Sequence, residues 1–263
     1  MALSASHAES SRTDPSAALR SVTVRFGKLT ALDEVTLTFR PGITAVTGPN
    51  GGGKSTLLRV LATLHQPDAG DTTVAGHPVT ATAGLRTVRR ILGYLPQEPT
   101  YFDHLRVDEA LHYAGWLHGM HYRARAAAIA SLAEKFSLTD LLPRKVALLS
   151  GGTRRRAYFA ATLMHDPLFA VFDEPTSGVD PTRRVDIRNA LRELTAGRTV
   201  IFSTQLTEDI ELLADRVIVL SAGRVIFDGT PQELAALGTT ERGARRIETA
   251  LRSLLDRERE ESR

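Results

Sequence analysis

Apolar and polar residues first alternate with a period of two, from Arg20 onward. Val22 and Val24 interleave with Thr23 and Arg25, and Val35, Leu37 and Phe39 interleave with Thr36 and Thr38. That spacing predicts strands with one buried face. Gly42 turns the chain into a largely apolar strand, Ile43 to Val46, and the period then changes. Leu57, Leu58, Val60, Leu61 and Leu64 recur as the stripe of a helix that begins near Leu57 and is ended by Pro67, Asp68 and Gly70. Val74 to Val79 reads as a tight hairpin, and Ile91 to Gln97 as a short strand running into a loop. Helical patterns follow at Val107 to Leu111, Ala126 to Phe136 and Thr153 to His165. Leu168 to Phe172 and Thr199 to Ser203 are continuously apolar, as strands covered on both faces should be. Val217 to Leu220 and Val225 to Phe227 flank an Ala222-Gly223 turn. A helical block between strands of one sheet predicts an α/β fold with a subdomain on a common core.

Composition narrows this only modestly. At 263 residues and 42% hydrophobic content, the chain can bury one large core, or one domain plus an appendage. Residues 1 to 18 read as a disordered arm, and the tail from Pro231 to residue 263 as a helical extension. In that tail Ile247, Leu251, Leu254 and Leu255 share one face, with Arg252, Asp256, Arg257 and Glu258 on the other. Such a helix docks on its own domain or on a partner. No apolar run reaches the roughly eighteen residues of a membrane span, and no charged-then-apolar secretory pattern opens the chain. The absence of cysteine excludes disulfides and thiolate metal sites and is compatible with a cytosolic home. The net charge of +3 is carried by singly scattered arginines, a solvated-face pattern, so no nucleic-acid partner is expected.

The chemistry concentrates in Gly48-Pro49-Asn50-Gly51-Gly52-Gly53-Lys54-Ser55-Thr56, which fits G-x-x-x-x-G-K-[ST] between a buried strand and a helix. Such a loop points successive backbone N–H groups into one concavity suited to phosphate oxygens. Its glycines let the backbone wrap, Lys54 adds a point charge, and the Ser55 hydroxyl can ligate Mg²⁺. Only four lysines stand against twenty-nine arginines, and one of them lies here. The loop predicts nucleotide phosphate binding.

Further motifs stand in a fixed order after that loop, and with them residues 19 to 230 resemble an ATP-binding cassette (ABC) ATPase. Leu149-Ser150-Gly151-Gly152-Thr153 looks like the family's LSGGQ signature. Leu168-Phe169-Ala170-Val171-Phe172-Asp173-Glu174 looks like its Walker B strand, and Pro175 to Asp180 like its D-loop. Gln97 matches the Q-loop. The resemblance implies a P-loop NTPase fold of ABC type: a mixed core sheet, an antiparallel β-subdomain, and an inserted helical subdomain at about 99 to 166. It implies that Asp173 holds Mg²⁺ through water, and that Glu174 polarises the attacking water as general base. Gln97 is expected to sense Mg²⁺ or that water. Ser150, Gly151 and Gly152 are expected to serve ATP held by another subunit, with Asp180 at the seam. Phe26 occupies the place of the adenine-stacking aromatic, with core packing as the equal alternative. One position departs: Gln205 stands where the family usually has a histidine, so γ-phosphate contact through an uncharged amide and slower hydrolysis are expected.

Within the family, Gly93 to Gln97, Leu149 to Arg156 and Glu174 to Pro181 look like stand-alone cassettes of ABC-2-type exporters. The function this implies is an ATP-hydrolysing subunit, cytoplasmic and peripheral on the inner face of the membrane. A separate transmembrane permease and a second cassette, self or paralogue, would be its partners. The rival readings are an ABC-type ATPase outside transport and a weakly hydrolysing regulatory module.

Overall fold

The computed structural model describes residues 16–80, 82–239 and 245–261. Ten strands, nine α-helices and two short 3-10 helices are assigned among them. β1 (Ala17–Phe26), β2 (Leu29–Phe39), β4 (Ala69–Val74) and β5 (His77–Pro78) form an antiparallel sheet in the order β2-β1-β4-β5. β3 (Gly42–Thr47), β6 (Leu92–Leu95), β7 (Phe169–Phe172), β8 (Thr199–Ser203), β9 (Arg216–Ser221) and β10 (Arg224–Gly229) form the second sheet. Its order is β10-β9-β3-β8-β7-β6, parallel except for β10. The expected mixed core sheet and antiparallel β-subdomain are both present.

The continuously apolar strands have a direct physical reason, because each feeds two cores. Phe169, Val171, Ile201, Ile218 and Leu220 point into a cluster shared with the antiparallel sheet and with α1 (Lys54–Leu61). Ala170, Phe172, Val200, Phe202, Val217 and Val219 point the other way, into a cluster shared with helices. Those helices include α3 (Val107–Leu117), α4 (Tyr122–Lys135) and α5 (Gly151–Leu163), the block expected between two core strands. Adjacent residues on one strand thus bury on opposite faces, as the pleat requires.

Several expectations need correction. α1 starts at Lys54, not near Leu57, because its first three residues, Lys54, Ser55 and Thr56, are polar and give the apolar pattern nothing to register. It stops at Leu61, and Thr63 takes a left-handed φ of 59°, so Leu64 is 60% exposed and off the buried stripe. Of the arm expected over 1 to 18, residues 1–15 lie outside the described residues. Ala17 and Ala18 belong to β1, where Ala17 pairs with Phe39 on one side and Val74 on the other. Three helices were not anticipated: α2 (Thr82–Ile91), α6 (Pro181–Glu193) and α7 (Thr207–Leu213). In the tail, α8 (Pro231–Ala236) and α9 (Arg246–Glu261) are helical. Ile247 and Ala250 of α9 are buried, and Leu251 and Leu254 pack on the larger cluster, so this helix docks on its own chain. Among the described residues, no helix is long and apolar enough to cross a membrane.

Candidate functional site

The loop after β3 is built so that only glycine fits its bends. Gly48 has φ 138°, and a Cβ there would lie 1.9 Å from the Leu220 carbonyl oxygen of β9. Gly53, the N-cap of α1, has φ 102° and offers no side chain to the helix start. The first backbone N–H groups of α1 therefore have neither an intrahelical nor a side-chain acceptor. Lys54 is only 7% exposed, and its Nζ donates to the Gly48 and Pro49 carbonyls, each at 2.8 Å. Burial pushes its pKa down, while Glu174 and Asp173 oppose that shift. The loop borders a cleft of about 280 Å³ whose lining includes Phe26, Lys54, Ser55, Thr56, Gln97 and Glu174. Asn50, Gly51 and Gly53 line it too. Phe26 is 46% exposed at its rim and contacts the ring of His65, so core packing does not explain it.

The carboxylates arrive from the end of β7. Asp173, 2% exposed, accepts a 2.6 Å hydrogen bond from Ser203 Oγ, and that same oxygen accepts the Glu174 N–H at 2.8 Å. Glu174 then takes a left-handed φ of 49°, unusual for a non-glycine residue and a form of strain that collects at functional sites. Its side chain meets two amides: Gln205 Nε2 donates to Oε1 at 2.7 Å, and Gln97 Nε2 donates to Oε2 at 3.4 Å. Gln205 also donates to Asn50 Oδ1 at 3.1 Å, which closes the group back onto the loop. Downstream, Thr176 donates to the fully buried Asp209 at 2.5 Å, and Asp209 pairs with Arg188, which anchors the segment leading to Asp180. Among the described residues no three His, Cys, Asp or Glu side chains gather to hold a metal. A divalent cation here would share its ligands between Ser55, Asp173 and a phosphate, which is how Mg²⁺ is commonly held.

A family model described as "ABC transporter" matches residues 32–177. The chain is 41% identical over 230 residues to the daunorubicin resistance ATP-binding protein DrrA3 of Streptomyces coeruleorubidus, covering 87% of this chain and 71% of that protein. The chain belongs to the ABC transporter ATP-binding family. It is also 41% identical over 215 residues to the Nod factor export ATP-binding protein I of Mesorhizobium japonicum. Against DrrA of Streptomyces peucetius it is 39% identical over 212 residues. Those two matches cover 81% and 80% of this chain but 63% and 64% of the relatives, just under two thirds of their length. In fold, the cassette superposes on an ATP-binding subunit of an ABC transporter with a TM-score of 0.81, at 24% identity, over 91% of this chain and 99% of that one. A cassette solved as a dimer bound to ADP and Pi gives 0.76 at 24% identity, covering 82% and 98%.

Not every expected site residue of this cassette reaches the cleft. Ser150, Gly151 and Gly152 open α5 outside that cleft, and Gly151 lines an adjoining hollow of about 300 Å³ with Gln97, Glu98, Arg154 and Gly178. Ser150 is the N-cap: its Oγ accepts the Thr153 N–H at 3.4 Å and donates to Thr153 Oγ1 at 2.9 Å. Asp180 caps α6, accepting the Thr182 N–H at 2.9 Å and its hydroxyl at 2.5 Å, and the hydroxyl contact leads in holding its carboxyl below the usual range. Two members of the site escaped the motif reading. Ser203 lies two residues before Gln205 at the end of β8, a position that signals proximity to the crevice but not its bond to Asp173. Arg155 sits within the signature run, where three successive arginines look alike.

Proposed function

We propose that the chain hydrolyses ATP and powers export by a membrane transporter. What carries this reading is the placement of the Glu174 carboxylate, at the C-terminal end of β7, in the cleft that also holds Lys54, Gln97 and the open start of α1. Crevices at the carboxyl ends of parallel strands are where α/β folds bind nucleotides. Phe26 offers a ring to the adenine, the N–H groups of Gly51 and of Gly53 to Thr56 donate to the phosphate oxygens, and Lys54 exchanges its loop carbonyls for the β- and γ-phosphates. Mg²⁺, held by Ser55, Asp173 and Gln97, would neutralise charge on those phosphates. Glu174 takes a proton from a water as its oxygen bonds the γ-phosphorus and the bond to the β-phosphate oxygen breaks, leaving ADP and phosphate. Gln205 touches both Glu174 and the loop residue Asn50, so it reports phosphate occupancy without carrying charge. Because its amide occupies one of the Glu174 oxygens, slow turnover, the regulatory variant of this reading, is favoured until that contact opens.

Ser150, Gly151 and Gly152 lie outside the chain's own cleft, which supports their service to ATP on a second cassette, a second copy of this chain being the simplest supply. Asp180 would stand at that seam. Residues 19–230 form the cassette. Within it the helices at about 99–166 shift with nucleotide state, and the tail from Pro231 is a helical extension whose α9 packs on the cassette. A permease subunit would hold the chain at the cytoplasmic face of the membrane, as the exporter names of its relatives suggest. The cargo belongs to that subunit. The test is Glu174→Gln, measured with the membrane partner present: MgATP still binds, and turnover falls by about 100-fold or more. Turnover at the wild-type rate would remove Glu174 as the base.

A further inference from the structure

Three successive arginines at the start of α5 go to three different places. Arg154 is partly exposed and lies 4.0 Å from Asp103. Arg156 turns into the helical cluster, where it donates to the Phe136 carbonyl, to the Ser137 carbonyl at 3.3 Å and to Thr153 Oγ1 at 3.3 Å. Arg155, 7% exposed, reaches the other way, toward the catalytic cleft. Its Nη1 donates to the Pro96 carbonyl at 3.0 Å and to the Gln97 carbonyl. Its Nη2 donates to the Asp173 carbonyl and to the Glu174 carbonyl at 2.7 Å, and its Nε points at the Pro175 carbonyl at 3.5 Å.

That is one planar cation against five backbone carbonyls from two segments far apart in sequence. It forms no ion pair among the described residues at salt-bridge distance. A buried guanidinium paired only with carbonyls carries a desolvation cost, and burial indeed lowers its pKa, with Asp173 and Glu174 opposing. A plain helix-to-core contact does not need it, since an apolar side chain would pack there without the charge. What the guanidinium supplies is a rigid fork with donors in fixed directions, which lysine does not have. The carbonyls it gathers belong to the Gln97 turn and to the left-handed Glu174 turn, the two segments whose side chains meet at the Glu174 carboxylate.

We propose that Arg155 is a positioning residue that locks helix α5 to both the Gln97 turn and the Glu174 turn. α5 begins with the Ser150-Gly151-Gly152 cap, so a displacement of that cap is passed to the hydrolytic carboxylate through one side chain. The proposal rests on the reading of Glu174 as the base, but its structural half is testable without turnover.

The experiment is hydrogen exchange, followed by mass spectrometry, on the full chain carrying Arg155→Lys, Arg155→Gln or, for comparison, Arg156→Gln. The two Arg155 variants keep a polar side chain for the carbonyls and so guard against simple misfolding. Each should speed exchange of the amides at 97–98 and 174–177 together by about tenfold, with β3 and α1 unchanged. Arg156→Gln should loosen 136–138 and leave 174–177 alone. In steady state both Arg155 variants should lose kcat by about tenfold or more at nearly unchanged KM for ATP, lysine failing to rescue because it lacks the fork. Exchange that rises evenly through β3 and α1, or stays at wild-type rates in both turns, overturns the lock. A wild-type chain that binds MgATP without turning it over sinks the functional reading instead, and the exchange pattern still decides the role of Arg155.

Discussion

Two helices in this molecule begin with a glycine-rich turn, and they solve the same problem in opposite ways. At α1 the N-cap is Gly53, no side chain accepts the first N–H groups, and a buried lysine sits beside them. At α5 the N-cap is Ser150, whose own hydroxyl takes the Thr153 N–H. The first start is left open toward a cleft that the same chain completes with Phe26, Gln97 and Glu174. The second has a side-chain cap of its own, and its Gly151 borders a different hollow, lined also by Glu98 and Arg154, that meets the first only at Gln97. Two glycine-rich helix starts therefore divide into one left open within a cleft the chain itself furnishes and one capped by its own serine outside that cleft.

The sharpest way to break the open start is Gly48→Ala. Its Cβ would meet the Leu220 carbonyl oxygen at 1.9 Å in a backbone conformation that alanine rarely adopts, so the loop must move. Affinity of the single chain for MgATP, read by calorimetry, should fall by about 100-fold or more. Gly151 provides the contrast, because it has no such φ and nothing within 4 Å of an added Cβ. Gly151→Ala should leave that single-chain affinity intact.

At the capped start, Ser150→Ala removes the side-chain acceptor. Thermal or denaturant unfolding should show a loss of about 1 kcal/mol, typical of an N-cap. The affinity of the single chain for MgATP should not change, since the cap lies outside its own cleft. A fall in that affinity equal to the fall in turnover would place Ser150 in the chain's own site.

Just beyond the far end of α5, His165 is stacked on His118 with ring centroids 3.4 Å apart, and its Nε2 lies 3.1 Å from the Leu92 carbonyl oxygen. Burial first, then the neighbouring His118, pushes its pKa down to about 4. The unfolded chain therefore binds a proton here, near the ordinary value of about 6.5, before the folded chain does. Stability from this group is fully present above about pH 6.5 and is lost as the pH falls toward 4, by at most about 3 kcal/mol. Replacing it by His165→Asn should flatten that part of the unfolding free energy against pH. An unchanged acid limb would show that other groups carry it.

The smallest expected effect is at Gln205. Gln205→His should hydrolyse ATP at least as fast as the wild type and should add an acid limb near pH 6.5 that the amide does not have. A clear drop in rate would make glutamine an adapted choice at this position.

The open start was far more legible in the sequence than the meeting of side chains around Glu174. The loop is contiguous, so Lys54 could be read from it directly; β7 shows as an apolar run, and Asp173 and Glu174 at its end were placed by their resemblance to the family's motif order. Asp180 followed by Pro181 carried a helix-start signal for α6 that could have been used. By contrast, Gln205, Asn50, Gln97 and Glu174 come from four separate segments, and no local periodicity encodes their convergence. Three arginines in a row give no clue that the middle one is buried against carbonyls, because helical phase alone does not say which loop passes beneath. Leu64 failed for a local reason: one left-handed residue, Thr63, ended the helix before its stripe did.

The division between open and capped starts is tested most directly by mixing two inactive chains. In the Glu174→Gln chain the proposed base is gone and Ser150 is intact; in the Ser150→Ala chain the reverse holds. Each should turn over MgATP slowly alone. If the cap of one copy completes the cleft of another, a one-to-one mixture contains pairs with one intact composite site, and its rate should exceed the sum of the two separate rates. A mixture that gives no more than that sum would contradict the sharing of sites between two copies of this chain.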